Sequence, residues 1–193
     1  MTARHPIRIG VTDDFRRSRF TVLLRLILAL PHFLWAAIWS LVILPLIVFE
    51  WIHVSVAGHL EDDVHAFLTR YTRYVLHVTA YALLFSNPWP SFNGRRGYPV
   101  DVEIDEAERQ RRLTVLFRLI FGIPAIVFAS VLATATTLLS VFAWFAALAT
   151  GRMPAGMEEL GTYCLRYVTQ THAYLLLLTS RYPALAGATT GDD

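Results

Sequence analysis

The sequence predicts an all-α integral membrane protein made of two tandem helical repeats. Each repeat is a long, kinked spanning helix plus a second amphipathic membrane helix, with a short β-strand at the start of the copy. Three observations carry this prediction. The 193 residues are 55% hydrophobic, with a mean hydropathy of +0.45, more than a soluble domain of this size needs to fill its core. Two stretches, 26–49 and 119–150, hold no charged residue, and each exceeds the roughly 20 helical residues that cross a bilayer's hydrocarbon core. Finally, the chain matches itself without a gap at the offset that carries Arg25 onto Arg118, the mark of an internal duplication.

The duplication rests on polar and special residues as well as apolar ones. Residues 20–27 fall on 113–120, Pro31 on Pro124, Trp51 on Trp144, Gly58 on Gly151, Arg73-Tyr74-Val75 on Arg166-Tyr167-Val168, Tyr81 on Tyr174 and Pro90 on Pro183. The implied organisation is a first membrane repeat over 5–90, a linker over 91–97, a second repeat over 98–183 and a flexible tail over 184–193.

Each copy opens with an alternating segment, 7–11 and 100–104, whose period of two suits a half-buried strand. One segment carries Arg8 and the other Asp101 and Glu103, so the two are expected to pair with each other, opposite charges facing. Arginine-rich stretches follow. Pro31 and Pro124 predict a kink or break between an interfacial and a spanning portion of the first helix, and Trp51 and Trp144 close the apolar run at headgroup depth. The second helix of the first copy, about 66–85, carries Arg70 and Arg73. Arginine at the bilayer centre costs some 2.5 kcal/mol or more, so this helix either crosses with its arginines near one end or lies at the interface.

Positive flanks tend to stay in the cytoplasm, and both copies begin with an arginine cluster. Both are therefore expected to enter from that side, which requires an even number of crossings in the first copy. Four spanning segments related by parallel duplication follow, with re-entrant helix pairs as the alternative. Both termini and the segment 93–112 are then cytoplasmic, in a multi-pass protein of a bacterial inner membrane. The apolar stretch after the polar start is too long for a signal-peptide core and is expected to remain as an anchor.

All 17 basic residues are arginine, a bias better assigned to codon usage than to function. The lone Cys164 reads as a helix-packing residue. His53, His59 and His65, with Glu61, Asp62 and Asp63 among them, are spaced by six residues, which does not align them on one helix face, so no metal site and no cofactor is expected. No nucleophile triad, glycine-rich phosphate loop or carboxylate pair is visible, and the chain is read as a non-enzyme without a nucleic-acid partner. Two sets of residues remain as candidates. Arg16, Arg19, Arg25, Arg109, Arg112 and Arg118 are read as contacts to lipid headgroups or a membrane partner, against a purely topogenic role. Arg73, His77 and Tyr81 share one helix face, repeated as Arg166, Gln170 and Tyr174. That polar ridge either lines a path or forms a structural hydrogen-bond network between the copies.

Several of these residues resemble one bacterial family. Tyr98-Pro99 with the alternating 100–104 segment, the run 112–120 closing at Ile123-Pro124, the turn Gly151-Arg152-Met153-Pro154, and Arg166-Tyr167 through Ala173-Tyr174 to Arg181-Tyr182-Pro183 are similar to the membrane family called domain of unknown function 4389. The likeness covers nearly the whole chain, once per copy. The first copy departs from it, with Gly58-His59-Leu60-Glu61 at the turn and Asn87-Pro88-Trp89-Pro90 near its end. The resemblance implies membrane location and helical architecture and assigns no catalytic residue. The preferred reading is a non-enzymatic scaffold or accessory subunit in contact with membrane lipids or with a membrane protein partner. The alternative is a small transporter or channel with a path between the repeats, which would hold Arg73 and Arg166 in one water-accessible cavity.

Overall fold

A computed structural model describes residues 5–12, 18–107 and 109–185. Its elements run β1 (Ile7–Val11), α1 (Arg19–Ala57), α2 (Asp62–Ala82), β2 (Val100–Ile104), α3 (Arg112–Leu116), α4 (Arg118–Thr150) and α5 (Ala155–Leu175). The chain is mostly helical, with both repeats visible and a strand opening each.

Among the described residues, α1 and α4 are the two helices long and apolar enough to cross a membrane. The sequence expectation of a second spanning helix in each copy is not met on that criterion: α2 and α5 alternate charged and polar residues with apolar ones on two distinct faces. Both long helices stop at a glycine in the left-handed region, Gly58 at φ 81° and Gly151 at φ 73°, whose N–H groups bond the carbonyls of Val54 and Ala147. Only glycine takes that conformation without a Cβ penalty.

The prolines do not break the helices. Helix α1 runs through Pro31 and Pro45, and α4 through Pro124. All three prolines are exposed on the outer side, where the missing hydrogen bond favours a bend that wraps the helix around the interior. The interruption in the second copy comes earlier, at Phe117 between α3 and α4.

Strands β1 and β2 form a two-stranded antiparallel ribbon, with Ile9 opposite Val102 at its centre and Arg8 opposite Glu103. Ile9 and Val102 are equivalent residues of the two copies, so the pairing is symmetric under the repeat. The pseudo-two-fold axis of the duplication therefore passes through the middle of the ribbon, perpendicular to it.

The two copies run head to tail about that axis. At one end the indole N–H of Trp144 donates to Val22 O and Arg19 to Ala149 O, tying the start of α1 to the end of α4. At the other end the Gln110 N–H donates to Gly58 O and the Trp51 indole to Leu175 O, tying the end of α1 to the start of the second copy's helix and the end of α5. Helices α1 and α4 are thus antiparallel and lie across the axis. Helices α2 and α5 touch both the ribbon and the long helices, whereas α1 and α4 do not reach the ribbon. Three layers result along the axis: ribbon, then α2 with α5, then α1 with α4.

Each long helix buries one stripe and exposes the rest. In α1 the buried residues are Val22, Arg25, Ala29, His32, Ile43, Glu50 and Val54, at helical spacing along its whole length. The outer face presents residues such as Leu30, Leu41 and Phe49, and that of α4 presents Ile120, Phe142 and Phe145. Only 17% and 22% of the most apolar windows of α1 and α4 are buried, far below what a soluble core helix requires. The segment 91–97 packs closely: the Trp35 indole donates to Phe92 O, and Phe92 stacks on His32.

Candidate functional site

The arginines that follow the strands divide into two kinds. Arg19, Arg109 and Arg112 are exposed, as headgroup contacts would be, and Arg16 lies outside the described residues. Arg25 and Arg118 depart from that expectation, being 1% and 0% exposed. They fall on the inner stripe of α1 and α4, so helical spacing turns them away from the surface that their neighbours share.

Each of these two buried guanidiniums caps the end of its own copy's second helix. Arg25 donates to Ser86 O at 3.0 Å and Asn87 Oδ1 at 3.1 Å, with its guanidinium 4.6 Å from the Tyr81 ring centroid. Arg118 donates to Tyr174 O and Gln110 Oε1, both at 2.6 Å, and lies 4.4 Å from the Tyr174 ring. The chain leaves α2 and α5 here through Leu84 and Leu177, equivalent residues at φ 71° and 62°. Two buried leucines hold this left-handed backbone against their Cβ penalty, and the arginines bond carbonyls of the turn, Ser86 O in the first copy and, in the second, Tyr174 O, which also accepts from the Leu177 N–H. Identity of both Arg and Tyr in the two copies was the sequence signal for this pairing.

The ridge residues are brought into one network with the strands, crosswise. Arg73, 4% exposed, and His77, fully buried, belong to the first copy, and both reach Asp101 of the second. Arg73 Nε and His77 Nε2 each lie 3.1 Å from Asp101 Oδ1, and Arg73 also donates to Val102 O at 3.2 Å. Burial alone would raise the Asp101 carboxyl; the hydrogen bond from His77 and those from the Gly97 and Val102 N–H groups outweigh it and hold the carboxyl below its usual range. In the other direction, Gln170 of the second copy donates to Ile7 O of the first at 3.4 Å. Each copy's ridge is therefore completed by the other copy's strand. Tyr81 and Tyr174 belong to the arginine caps instead. Arg166 is only half-buried and has no ion pair among the described residues, so the repeat at this position is one of sequence more than of environment.

Asp101, Gln110 and Asn87 were not singled out by sequence reasoning. Asp101 stood there only as an acid opposite Arg8, whereas Arg8 bonds Glu103 at 3.3 Å and Asp105 at 3.1 Å. Of the three spaced histidines, His53 bonds Glu50 at 3.2 Å with His59 as a ring neighbour, while His65 turns toward the end of β2.

A family model described as Domain of unknown function (DUF4389) matches the chain twice, over residues 19–93 and 112–186. No curated protein and no solved structure matches it. Each matched segment begins six residues before its buried arginine, and the two exclude both strands.

Proposed function

Since the chain belongs to the DUF4389 family in two tandem copies, which brings no assigned activity, we propose that it is a non-enzymatic membrane scaffold, seated in one leaflet of a bacterial inner membrane by α1 and α4. The observation that carries this reading is the apolar outer face shared by α1 and α4, on the side of the molecule opposite the charged ribbon. Exposed apolar area on that scale belongs against lipid or a membrane partner.

The seating follows from the pseudo-two-fold axis. Helix α1 has 39 residues, about 58 Å at 1.5 Å per residue, and is apolar along its outer face from end to end, well beyond the roughly 30 Å of a hydrocarbon core. Because α1 and α4 are antiparallel, crossing helices would make the repeats inverted, with the axis in the bilayer midplane. The ribbon lies on that axis, and its side chains Arg8, Glu103 and Asp105 are 33%, 77% and 47% exposed. Arg8 pairs with both acids, which leaves a net negative charge there, and a charged side chain at the midplane costs about 2.5 kcal/mol or more. With the axis along the membrane normal, the ribbon stands in water, both ends of each long helix lie at one depth, and both arginine-flanked starts face the same side. That placement keeps the termini and residues 93–112 cytoplasmic, as the charge rule asks, and replaces four crossings by none. Ser130, Thr134 and Thr137 on α4 bond their own helix carbonyls, which suits a lipid-facing surface.

For function, the first copy's ridge supports a scaffold over a path. Arg73 is held by Asp101 and backbone carbonyls, and the cleft it borders does not include Arg166. Single cysteines in a Cys164→Ser background test the seating: Thr12→Cys, His59→Cys and Arg152→Cys are all expected to react with an impermeant maleimide only from the cytoplasmic side. Reaction of His59→Cys from the opposite side to Thr12→Cys means that α1 crosses, and rejects the proposal.

A further inference from the structure

Beside the ridge network, one cleft gathers three further cations around Arg73. It lies between α2, the loop 93–96 and the end of β2, holds about 630 Å³, and is bordered by Arg70, Arg73, Arg95 and Arg96, with Glu106 as its one carboxylate among the described residues. Arg70, Arg95 and Arg96 are exposed and form no ion pair among the described residues. Like charges in one place repel, so their convergence has a cost that a ligand of opposite charge removes.

The loop that carries two of them is fixed. Gly94 adopts φ +60° directly against α2, where a Cβ would lie 2.2 Å from Arg70 O, and Gly94 O accepts from Arg73 at 3.5 Å. Arg95 and Arg96 are thereby stationed beside Arg70. Two polar atoms in the same wall have their hydrogen-bonding capacity unmet: Thr69 Oγ1, on a residue only 9% exposed, and His65 Nε2. Buried polar atoms are seldom left so.

We infer that this cleft binds a phosphate-bearing anion, gripped by the guanidinium forks of Arg70, Arg95 and Arg96 and contacted at its inner end by Thr69. Planar guanidiniums match phosphate oxygens two at a time, which lysine does not, and the volume takes a phosphoglycerol-sized group. The phosphate comes either from a lipid headgroup or from a free phosphate ester. The second copy has Tyr163 where Arg70 stands, so one such cleft is expected per chain. The inference does not depend on how α1 and α4 meet the bilayer.

The test uses the full chain in uncharged detergent. Glycerol 3-phosphate and inorganic phosphate are titrated by calorimetry, and retention of phosphatidylglycerol against phosphatidylcholine is read by native mass spectrometry. The variants are the triple Arg70→Gln, Arg95→Gln, Arg96→Gln, the single Thr69→Val, and, as a surface control, the exposed Arg152→Gln. Binding at least tenfold weaker in the triple variant, severalfold weaker in Thr69→Val and unchanged in the control is the expected result. A response to glycerol 3-phosphate or inorganic phosphate assigns a free ester, and one confined to phosphatidylglycerol assigns a headgroup. Should the triple variant fail to fold by circular dichroism, Thr69→Val and the single Arg95→Gln carry the comparison. Equal behaviour of wild type and cleft variants toward every probe, or an equal loss in the control, overturns the inference.

Discussion

The guanidinium of Arg118 lies 4.4 Å over the ring of Tyr174, the last residue but one of α5, and donates to that residue's own carbonyl. Arg25 makes the corresponding ring contact with Tyr81. One side chain thus ties the start of a long helix to the end of its partner in each copy. A desolvated cation over an aromatic ring contributes up to about 2 kcal/mol, and carbonyls stripped of a charged donor lose about 1.5–3 kcal/mol each. Arg118→Gln and Arg25→Gln are therefore expected to lower stability in detergent by about 2–4 kcal/mol, against less than about 0.5 kcal/mol for the exposed Arg112→Gln. Thermal midpoints of the three variants, measured side by side, check this. Similar values for all three would mean that the caps carry no stability.

Arg73 and Arg166 occupy equivalent positions but not equivalent surroundings. Removing Arg73 leaves Asp101 without one of its two side-chain partners and Val102 O without a donor. Removing Arg166 breaks no ion pair among the described residues. Arg73→Gln is expected to cost about 3 kcal/mol and Arg166→Gln under about 1 kcal/mol. A urea titration followed by tryptophan fluorescence would separate the two. Equal losses would restore the symmetric ridge that the repeat suggested.

Acid sensitivity follows from Asp101. Its carboxyl is held below the ordinary range in the folded chain, so the stability it contributes is complete above the unfolded carboxylate value and is lost as pH falls through the lower, folded one. Asp101→Asn is expected to be less stable than wild type at pH 7 and to approach it as pH drops from about 4 toward 2. Melting curves across pH 2–7 give the measurement. A gap between the two proteins that stays constant over the whole range would exclude this linkage.

Close approach at two glycines makes a further prediction. A Cβ on Gly161 would lie 1.9 Å from the Phe85 ring, whereas one on Gly156 meets nothing within 4 Å. Gly161→Ala is expected to cost about 1–3 kcal/mol by overpacking the contact between the copies, while Gly156→Ala is neutral or slightly stabilising in its helix. Yield and monodispersity on gel filtration distinguish them. A well-behaved Gly161→Ala protein would show that α2 and α5 can separate at no cost.

Much of the fold was legible because it depends on local pattern. The period-two segments became β1 and β2 and paired with each other, Arg8 facing Glu103, since two short strands in one chain satisfy their backbones most readily together. Gly58 and Gly151 closed the long helices where the apolar runs ended. Of the kink or break expected at the prolines, the break does not occur: the helices run through Pro31, Pro45 and Pro124, whose lost hydrogen bonds face outward.

By itself the sequence determined the duplication, the long apolar helices and the presence of polar residues along their second partners, since these are properties of spacing along one chain. Only the tertiary structure decided that α1 and α4 run antiparallel, that Arg25 and Arg118 are interior while Arg19 and Arg112 are not, and that Asp101 answers Arg73 across the two copies. The physical reason is that a repeat states what each unit contains, not the rotation that relates the units. Here that rotation is set by the Ile9 and Val102 pair at the centre of the ribbon. Reversing one strand against the other turns one copy end over end, and every contact between the copies follows from that turn.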